Sequence, residues 1–536
     1  MEIFVPRVTV NGKEVEVEHG TSVIEAADML GIHIPRFCYH PELTIDGNCR
    51  MCLVEVEGVD KLLPSCALPV TYDMVVRSDS ERVRKAVKGV LEFLLVHHPI
   101  DCPICDQSGE CYLQDYYVEH GLYKSRFPLK RKINKVKAKD IGGDIMLDAE
   151  RCVLCTRCIR FLREVAGTDE MNIFSRGARS SIGIYPGKPL YNMYTCNLAD
   201  ICPVGALTSK DFRFQCRVWY MEETKTICTG CATGCNLLAH HHEGRVYRLK
   251  PRYNKAVNGA WMCDIGRFSY KKANGGRITT PLLRSGDGRE LKAVNWETAL
   301  FSVKERVDEV KRETGPSSIA LLPSPESSNE ELYLWKKLAF EVIGTPHLDF
   351  SRETPLDGYS DDILVRKDRT PNSMGAEKIG VIPGNKGQDF PSILSGFRSG
   401  SIRLIIIGGS HLGSMSESET EGILKNIPIV INISSNVGAL SKNSTILLPS
   451  ASFIEREGTF TNYRGRVQRF FRGIESRSEV MEELKILSAV AFALGAGWDY
   501  SGAESVFREM AEKIPFFRDL NYETLGEEGI PGTLVR

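Results

Sequence analysis

Seventeen cysteines lie between Cys38 and Cys263, and the rest of the 536-residue chain after Cys263 has none. Most fall into four sets. The first is Cys38, Cys49, Cys52 and Cys66, at C-x10-C-x2-C-x13-C spacing. The second, in HHPIDCPICDQSGEC, has only three thiols, Cys102, Cys105 and Cys111. Cys152, Cys155 and Cys158 form a compact C-x2-C-x2-C run of the kind that draws its fourth bond from a remote Cys-Pro in bacterial-type [4Fe-4S] sites, and Cys202-Pro203 supplies one. The fourth set is Cys228, Cys231, Cys235 and Cys263, flanked by glycines that permit tight turns and amide-to-sulfur approach.

Thiolates at these spacings hold iron-sulfur clusters or structural zinc. The wide first set lets the chain wrap two irons, as in a [2Fe-2S] centre, whereas a zinc ribbon carries two C-x2-C pairs. An odd cysteine count and a start (MEIFVPRVTVNG) without signal-peptide character argue against a disulfide scaffold. Four sets in series, one of them ferredoxin-like, favour iron-sulfur throughout. In a two-cluster ferredoxin, counting back from Cys202 would place further cysteines at Leu198, Thr195 and Asn192, so the third segment is expected to hold one cluster. Cys196 and Cys216 are left as spare thiols.

The second set needs a fourth donor. Val83, Val87, Val90, Leu91, Leu94 and Leu95 have helical spacing, which predicts a helix over residues 80–98 that Pro99 ends. Its Val87, Leu91, Leu94 face runs on to His98 at i+4, with His97 turned about a third of a turn away. His98 is therefore the expected ligand, and the four sets then comprise fifteen cysteines and one histidine.

The elements around these sets differ along the chain. Residues 3–10 and 14–18 are strand-like about Asn11-Gly12, a hairpin signal, and Ser22-x-x-Glu25 is a capping box opening a helix. Residues 123–139, YKSRFPLKRKINKVKAK, are basic and aperiodic, a solvated or partner-facing linker. After Cys263 an amphipathic WETALFSVKERVDEVKRE alternates with the apolar runs SIALLPS, IRLIIIGGS and PIVINISS, a pattern of parallel strands with covering helices. IIIGGSHLG is GGxxxG rather than a dinucleotide fingerprint and is read as a tight turn. The three histidines of AHHHEG point in different directions and are read as surface residues.

Sixty-eight basic side chains against 69 acidic ones leave a formal net charge of -1, so no global field favours nucleic acid. The longest apolar run, LSAVAFALGAGW, falls short of the roughly 18 to 20 residues of a membrane span. A cytoplasmic or equivalent reducing compartment is expected.

With these motifs in this order the sequence resembles the large iron-sulfur subunit of respiratory complex I, the NADH:quinone oxidoreductase. The resemblance rests on HHPIDCPICDQSGECYLQD, RCVLCTRCIRF and ADICPVGALTSKDFRF, while CDIGRF, VNWETAL, SPESSNEELYLWKKLA and LLPSASFIEREGTFTNYRGRVQ resemble the molybdopterin oxidoreductase superfamily. It implies a multidomain α+β and α/β protein: a plant-ferredoxin-like β-grasp domain with [2Fe-2S] over 1–79, a histidine-ligated [4Fe-4S] segment over 80–120, a basic linker over 121–140 and a bacterial-ferredoxin-like [4Fe-4S] domain over 141–220. A [4Fe-4S] domain of molybdopterin-oxidoreductase type follows over 221–277, and a truncated α/β domain of that superfamily over 278–536. One [2Fe-2S] and three [4Fe-4S] clusters are implied, with no substrate-converting site on this chain. Electrons would pass from a flavin- and NADH-binding subunit towards quinone, with the histidine-ligated and third-set clusters on the main path, the [2Fe-2S] centre an accessory and the fourth set off it. The chain would sit peripherally at the inner face of the cell membrane, held there through the other peripheral-arm subunits.

No molybdopterin cofactor is expected. Ile265 stands where active members of that superfamily carry a lysine two residues after the last cluster cysteine, and no later cysteine could ligate molybdenum. Glu455, Gly458, Asn462, Gly465, Arg466 and Gln468 keep the superfamily pattern and are expected to serve the fold. The rival reading is the electron-transfer or alpha subunit of an NAD-linked formate dehydrogenase or hydrogenase with a working Mo/W-pterin site.

A neutral imidazole in place of a thiolate leaves the second cluster one negative charge lighter, which raises its potential. His98→Cys is expected to keep the iron and lower that centre's midpoint in a redox titration; an unshifted midpoint would remove His98 as ligand.

Overall fold

The structure is a computed structural model and describes residues 5–122, 124–285, 290–350, 352–354, 358–382 and 389–533. The chain divides into two compact units, Met1–Met221 and Glu222–Arg536.

In the first unit, β1 (Arg7–Val10) and β2 (Lys13–Glu16) pair antiparallel across Asn11 and Gly12, whose φ of 49° and 81° suit a type I′ turn. Residues 3 and 4 of the expected strand lie outside the described residues. Helix α1 (Val23–Met29) follows, and the Glu25 carboxylate accepts both the Ser22 amide and the Ser22 hydroxyl at 2.7 Å. With β3 (Leu53–Val56), β4 (Leu63–Pro64) and β5 (Met74–Arg77) the sheet order is β2-β1-β5-β3-β4. Its core of Val8, Val10, Val23, Ile24, Val54 and Val76 also takes in Cys52 and Cys66, so the first cysteine loop is anchored on the sheet.

Helix α2 (Glu81–Leu95) is capped by Ser80, whose hydroxyl accepts the Val83 amide at 3.3 Å, and it buries Val83, Val87 and Leu91. It stops three residues before His98, so that residue stands beyond the helix and helical phase does not place it. Helix α3 (Tyr112–His120) begins directly after Cys111. The basic segment is more than a solvated linker. Lys132 donates to the His98 carbonyl and Lys135 to the Ser180 carbonyl, each at 2.6 Å, and Lys137 pairs with Asp101, Asp148 and Glu150. Lys124, Lys130 and Arg131 stay exposed, and residue 123 lies outside the described residues.

Strands β6 (Lys139–Asp140) and β7 (Ile145–Leu147) lead to helix α4 (Arg157–Glu164), the hairpin β8 (Met171–Phe174) and β9 (Ser181–Ile184), helix α5 (Asn197–Ile201) and β10 (Leu207–Ser209). The pairing of Leu147 with Leu207 brings the two ends of the third cysteine set together.

The second unit opens with the antiparallel strands β11 (Glu222–Ile227), β12 (Asn236–His242) and β13 (Arg245–Pro251). The surface reading of AHHHEG fails at His241. Strand alternation turns it inward, where it is 5% exposed and bonds to the Thr224 hydroxyl at 2.9 Å.

Short helices α6 (Asp264–Arg267) and α7 (Lys271–Asn274) follow Cys263. The main sheet is built from β14 (Leu282–Arg284), β15 (Leu291–Ala293), β16 (Ile319–Leu322), β17 (His347–Leu348), β18 (Leu404–Gly408), β19 (Ile429–Ser434) and β20 (Ile446–Pro449), in the order β15-β14-β20-β19-β18-β16-β17. The apolar runs SIALLPS, IRLIIIGGS and PIVINISS supply β16, β18 and β19, all parallel. Strand order reverses between β16 and β18, which opens a crevice at their carboxyl ends. There Gly408 packs against Ser324, whose amide an added Cβ would meet at 2.5 Å, and Gly409 turns at φ 91°, so IIIGGSHLG makes the expected turn.

Helix α8 (Trp296–Thr314) covers one face of this sheet through Ala299, Val303, Val307 and Val310. Helix α9 (Asn329–Lys337) is buried nearly all round, including its acidic residues. Glu330 accepts from the Thr459 amide at 2.9 Å and the Tyr522 hydroxyl at 3.0 Å, and Glu331 pairs with Arg456. Such buried charges persist only when paired and hydrogen-bonded. Strands β21 (Gly458–Thr461) and β22 (Arg466–Phe470) pair beside them.

Candidate metal centres

In the first set the four thiols hydrogen bond among themselves: Cys38 with Cys49 and Cys66, and Cys52 with Cys66. These bonds pull Cys38 down to about 2 and Cys52 down to about 6 and push Cys49 and Cys66 up.

The third set winds through two left-handed residues, Leu154 at φ 54° and Thr156 at φ 60°, a strained path for side chains of this kind. That winding turns the Leu154 amide onto Cys152 Sγ at 3.3 Å. Cys155, Cys158 and Cys202 are buried. Burial pushes Cys155 up to about 12 and raises Cys202, where the amides of Val204, Leu207 and Ala206 oppose the rise.

The second set lies against the third. Cys105 Sγ packs on Gly205, where an added Cβ would stand 2.2 Å from the sulfur, and the Tyr112 amide bonds the Pro203 carbonyl at 3.0 Å. Gly109, at φ 90°, leaves room for Val218 and Trp219, and Arg217 bonds the Cys105 carbonyl at 2.6 Å. Burial lowers His98 to about 4, so its imidazole is neutral, and its Nδ1 accepts the Ile100 amide at 3.1 Å, which leaves the proton on Nε2. Asp101 and Arg151 act on both His98 and Cys105, and they are locked together by two hydrogen bonds of 2.9 and 2.8 Å. His97 instead receives the Ile133 amide at 3.3 Å and faces Phe127.

The fourth set is buried within the second unit. The Gly230 amide approaches Cys228 Sγ at 3.3 Å and the Gly266 amide Cys263 Sγ at 3.4 Å, while an added Cβ at Gly266 would meet Cys228 Sγ at 2.7 Å. The α/β domain holds this loop. Asn462 donates to the Thr233 carbonyl at 3.3 Å, Gln468 to the Gly234 carbonyl at 3.0 Å, and Thr233 to the Leu364 carbonyl at 2.5 Å. Gln468 also accepts from Asn236 at 2.6 Å, and Glu455 pairs with Arg277 at 2.6 Å. Of the superfamily-pattern residues, Asn462 and Gln468 grip the cysteine loop.

Packing also links the first set to the third. Arg160 bonds the carbonyls of both Cys38 and Cys155, Asn48 donates to the Leu154 carbonyl at 3.1 Å, and Thr44 bonds Glu164. The third set thus packs against both the first and the second within this unit, and the first also meets the helix after Cys111, where the Tyr116 hydroxyl accepts the Arg36 amide at 3.0 Å.

Among the described residues no three His, Cys, Asp or Glu side chains converge as ligands of a single metal ion do; a cluster takes one ligand at each corner, over a wider space. All-sulfur sets with amides aimed at sulfur and glycines where a Cβ would strike sulfur fit iron-sulfur clusters. None of the fifteen set cysteines is in a disulfide.

Five families match in chain order. They are described as a 2Fe-2S iron-sulfur cluster binding domain (residues 7–81), the NADH-ubiquinone oxidoreductase-G iron-sulfur binding region (88–126), the ferredoxin-like domain of NADH-quinone oxidoreductase subunit 3 (142–208), the molybdopterin oxidoreductase Fe4S4 domain (221–275) and molybdopterin oxidoreductase (277–355 and 369–493). The chain is thus an iron-sulfur protein with [2Fe-2S]- and [4Fe-4S]-binding domains joined to a molybdopterin-oxidoreductase domain.

The chain is similar to the mitochondrial NADH-ubiquinone oxidoreductase 78 kDa subunit of Candida albicans, 42% identical over 58% of this chain and 42% of that protein. It is also similar to a subunit of the NADH-quinone oxidoreductase of Rickettsia conorii, 36% identical over 76% of this chain and 60% of that protein. Among solved structures, a chain of an NAD+-reducing [NiFe]-hydrogenase matches at 32% identity over 40% of this chain and 91% of that one, with a TM-score of 0.36. The protein is a homologue of these NADH-quinone oxidoreductase subunits, and its matched part spans about half the length of those relatives.

Gly205→Ala drives a methyl group into Cys105. It is expected to cost the chain about four irons in anaerobic iron quantitation while the [2Fe-2S] signal persists; full iron content would contradict this contact.

Proposed function

We propose that this chain is an iron-sulfur electron-transfer subunit of an NADH:quinone oxidoreductase, relaying electrons from a flavin-bearing partner towards quinone. The observation that carries the reading is the packing of three cysteine sets into one contiguous series within the first unit, through Arg160 and Gly205.

In this reading Cys38, Cys49, Cys52 and Cys66 hold a [2Fe-2S] cluster. His98, Cys102, Cys105 and Cys111 hold a [4Fe-4S] cluster, as do Cys152, Cys155, Cys158 and Cys202, and as do Cys228, Cys231, Cys235 and Cys263. The clusters supply one-electron redox chemistry; the protein binds them, excludes water and aims amides at sulfur, and it needs no general acid or nucleophile. The six-segment division proposed from the sequence refines the two compact units. The first set, expected to be an accessory, is better read as in line, because its loop touches the third set.

The second unit is read as a structural domain without pterin. Ile265 replaces the lysine, and no cysteine follows Cys263 to ligate molybdenum. Among the described residues no helix is long and apolar enough to cross a membrane, so attachment at the inner face of the cell membrane would come through partner subunits.

Anaerobically loaded protein is expected to carry about fourteen irons per chain, from one [2Fe-2S] and three [4Fe-4S] centres, in iron and sulfide quantitation with electron paramagnetic resonance. Molybdenum or tungsten near one per chain would overturn the reading in favour of a pterin enzyme, and zinc without iron would overturn the redox role.

A further inference from the structure

Two cations stand between the first and third cysteine sets, and each touches both. On α4, Arg157 is 5% exposed and donates to the carbonyl of Tyr39, next to Cys38, at 2.5 Å and to the carbonyl of Ile201, next to Cys202, at 3.3 Å. One turn on, Arg160 donates to the Cys38 carbonyl and, at 3.4 Å, to the Cys155 carbonyl. It also bonds the Thr44 carbonyl and the Thr156 hydroxyl.

Neither guanidinium has a carboxylate within ion-pair distance among the described residues. The contrast is Arg151, beside the second set, which is neutralised by Asp101 and Asp148. Arg157 Nε is buried and has no hydrogen-bond partner in the protein, a donor left over in the space between two thiol sets. A buried charge without a counter-ion is costly unless something negative lies close by, and a reduced cluster with four thiolates is such a group.

We propose that Arg157 and Arg160 form a shared cationic bridge that raises the midpoints of the first- and third-set clusters together and makes them one coupled redox pair. This rests on the cluster assignments above. The step between the two sets moves one electron, makes and breaks no bond, and is driven by the difference between two midpoints. A charge acting on both eases reduction of each while keeping that difference small. The two arginines are positioning residues: they act on the clusters through space and through the carbonyls that flank their ligands.

The test is a redox titration by electron paramagnetic resonance of the full, anaerobically loaded chain, comparing wild type, Arg160→Gln and Arg160→Lys, with the fourth set as internal standard. In R160Q both midpoints are expected to fall while iron content and the fourth-set midpoint stay unchanged, and in R160K, which keeps the charge, both are expected to return most of the way. An unmoved first- or third-set midpoint in fully loaded R160Q overturns the bridge, and so does an equal fall in R160K. Should R160Q lose iron, Arg157→Gln is read in the same way, and loss of iron in both variants overturns the bridge in favour of a purely structural role. A wild-type chain lacking the [2Fe-2S] or third-set signal would sink the cluster assignment itself, whereas normal signals with unshifted midpoints sink only the bridge.

Discussion

A buried thiolate is costly, and several at one place are costlier still. Of the fifteen set cysteines all but Cys102 and Cys152 are buried. Without a counter-charge the chain must keep most of them as thiols, which is why burial pushes Cys111 and Cys263 up to about 12. Iron binding replaces those protons and supplies the missing positive charge. In the proposed reading the loops that carry the ligands fold around their metal, and the rest of the structure holds those loops: a small sheet under the first set, the Leu147 and Leu207 pairing across the third, and an entire α/β domain around the fourth.

That constraint explains why the first unit looks as it does. Electron transfer favours the nearest neighbour in space, and contacts between loops decide which neighbour that is. The Cys38 and Cys155 loops share Arg160, and the Cys105 loop rests on Gly205, three residues after Cys202. The basic segment adds to this. Through Lys132 and Lys137 it ties the chain around His98 and Asp101 to the rest of the unit, so residues that look like a linker help to fix the second set.

The four cysteine sets were legible in the sequence, because they are marked by residue type and short-range spacing. The Asn11-Gly12 hairpin, the Glu25 cap and the parallel strands β16, β18 and β19 were legible for the same reason, since each is a local signal. Non-local features were not. Helix α2 ends at Leu95, because the chain turns at residues 96 and 97 ahead of Pro99, and so periodicity could not place His98. His241 turns inward because its strand packs against Thr224, a partner 17 positions away. Arg157 and Arg160 lie in a motif read only for its cysteines, and their partners Tyr39 and Cys38 lie more than a hundred residues earlier. The grip of Asn462 and Gln468 on the fourth cysteine loop spans still greater separations.

The second unit uses part of its α/β fold to secure a cysteine set. The central claim concerns the first unit, where the third set is proposed to stand between the first and the second. Its most direct test is the spin relaxation of the reduced [2Fe-2S] centre, measured by electron paramagnetic resonance while the third- and second-set clusters are poised oxidised or reduced in turn. Reduction of the third-set cluster is expected to speed that relaxation more than reduction of the second-set cluster does. A [2Fe-2S] signal that ignores the third set and responds to the second would contradict the order first, third, second.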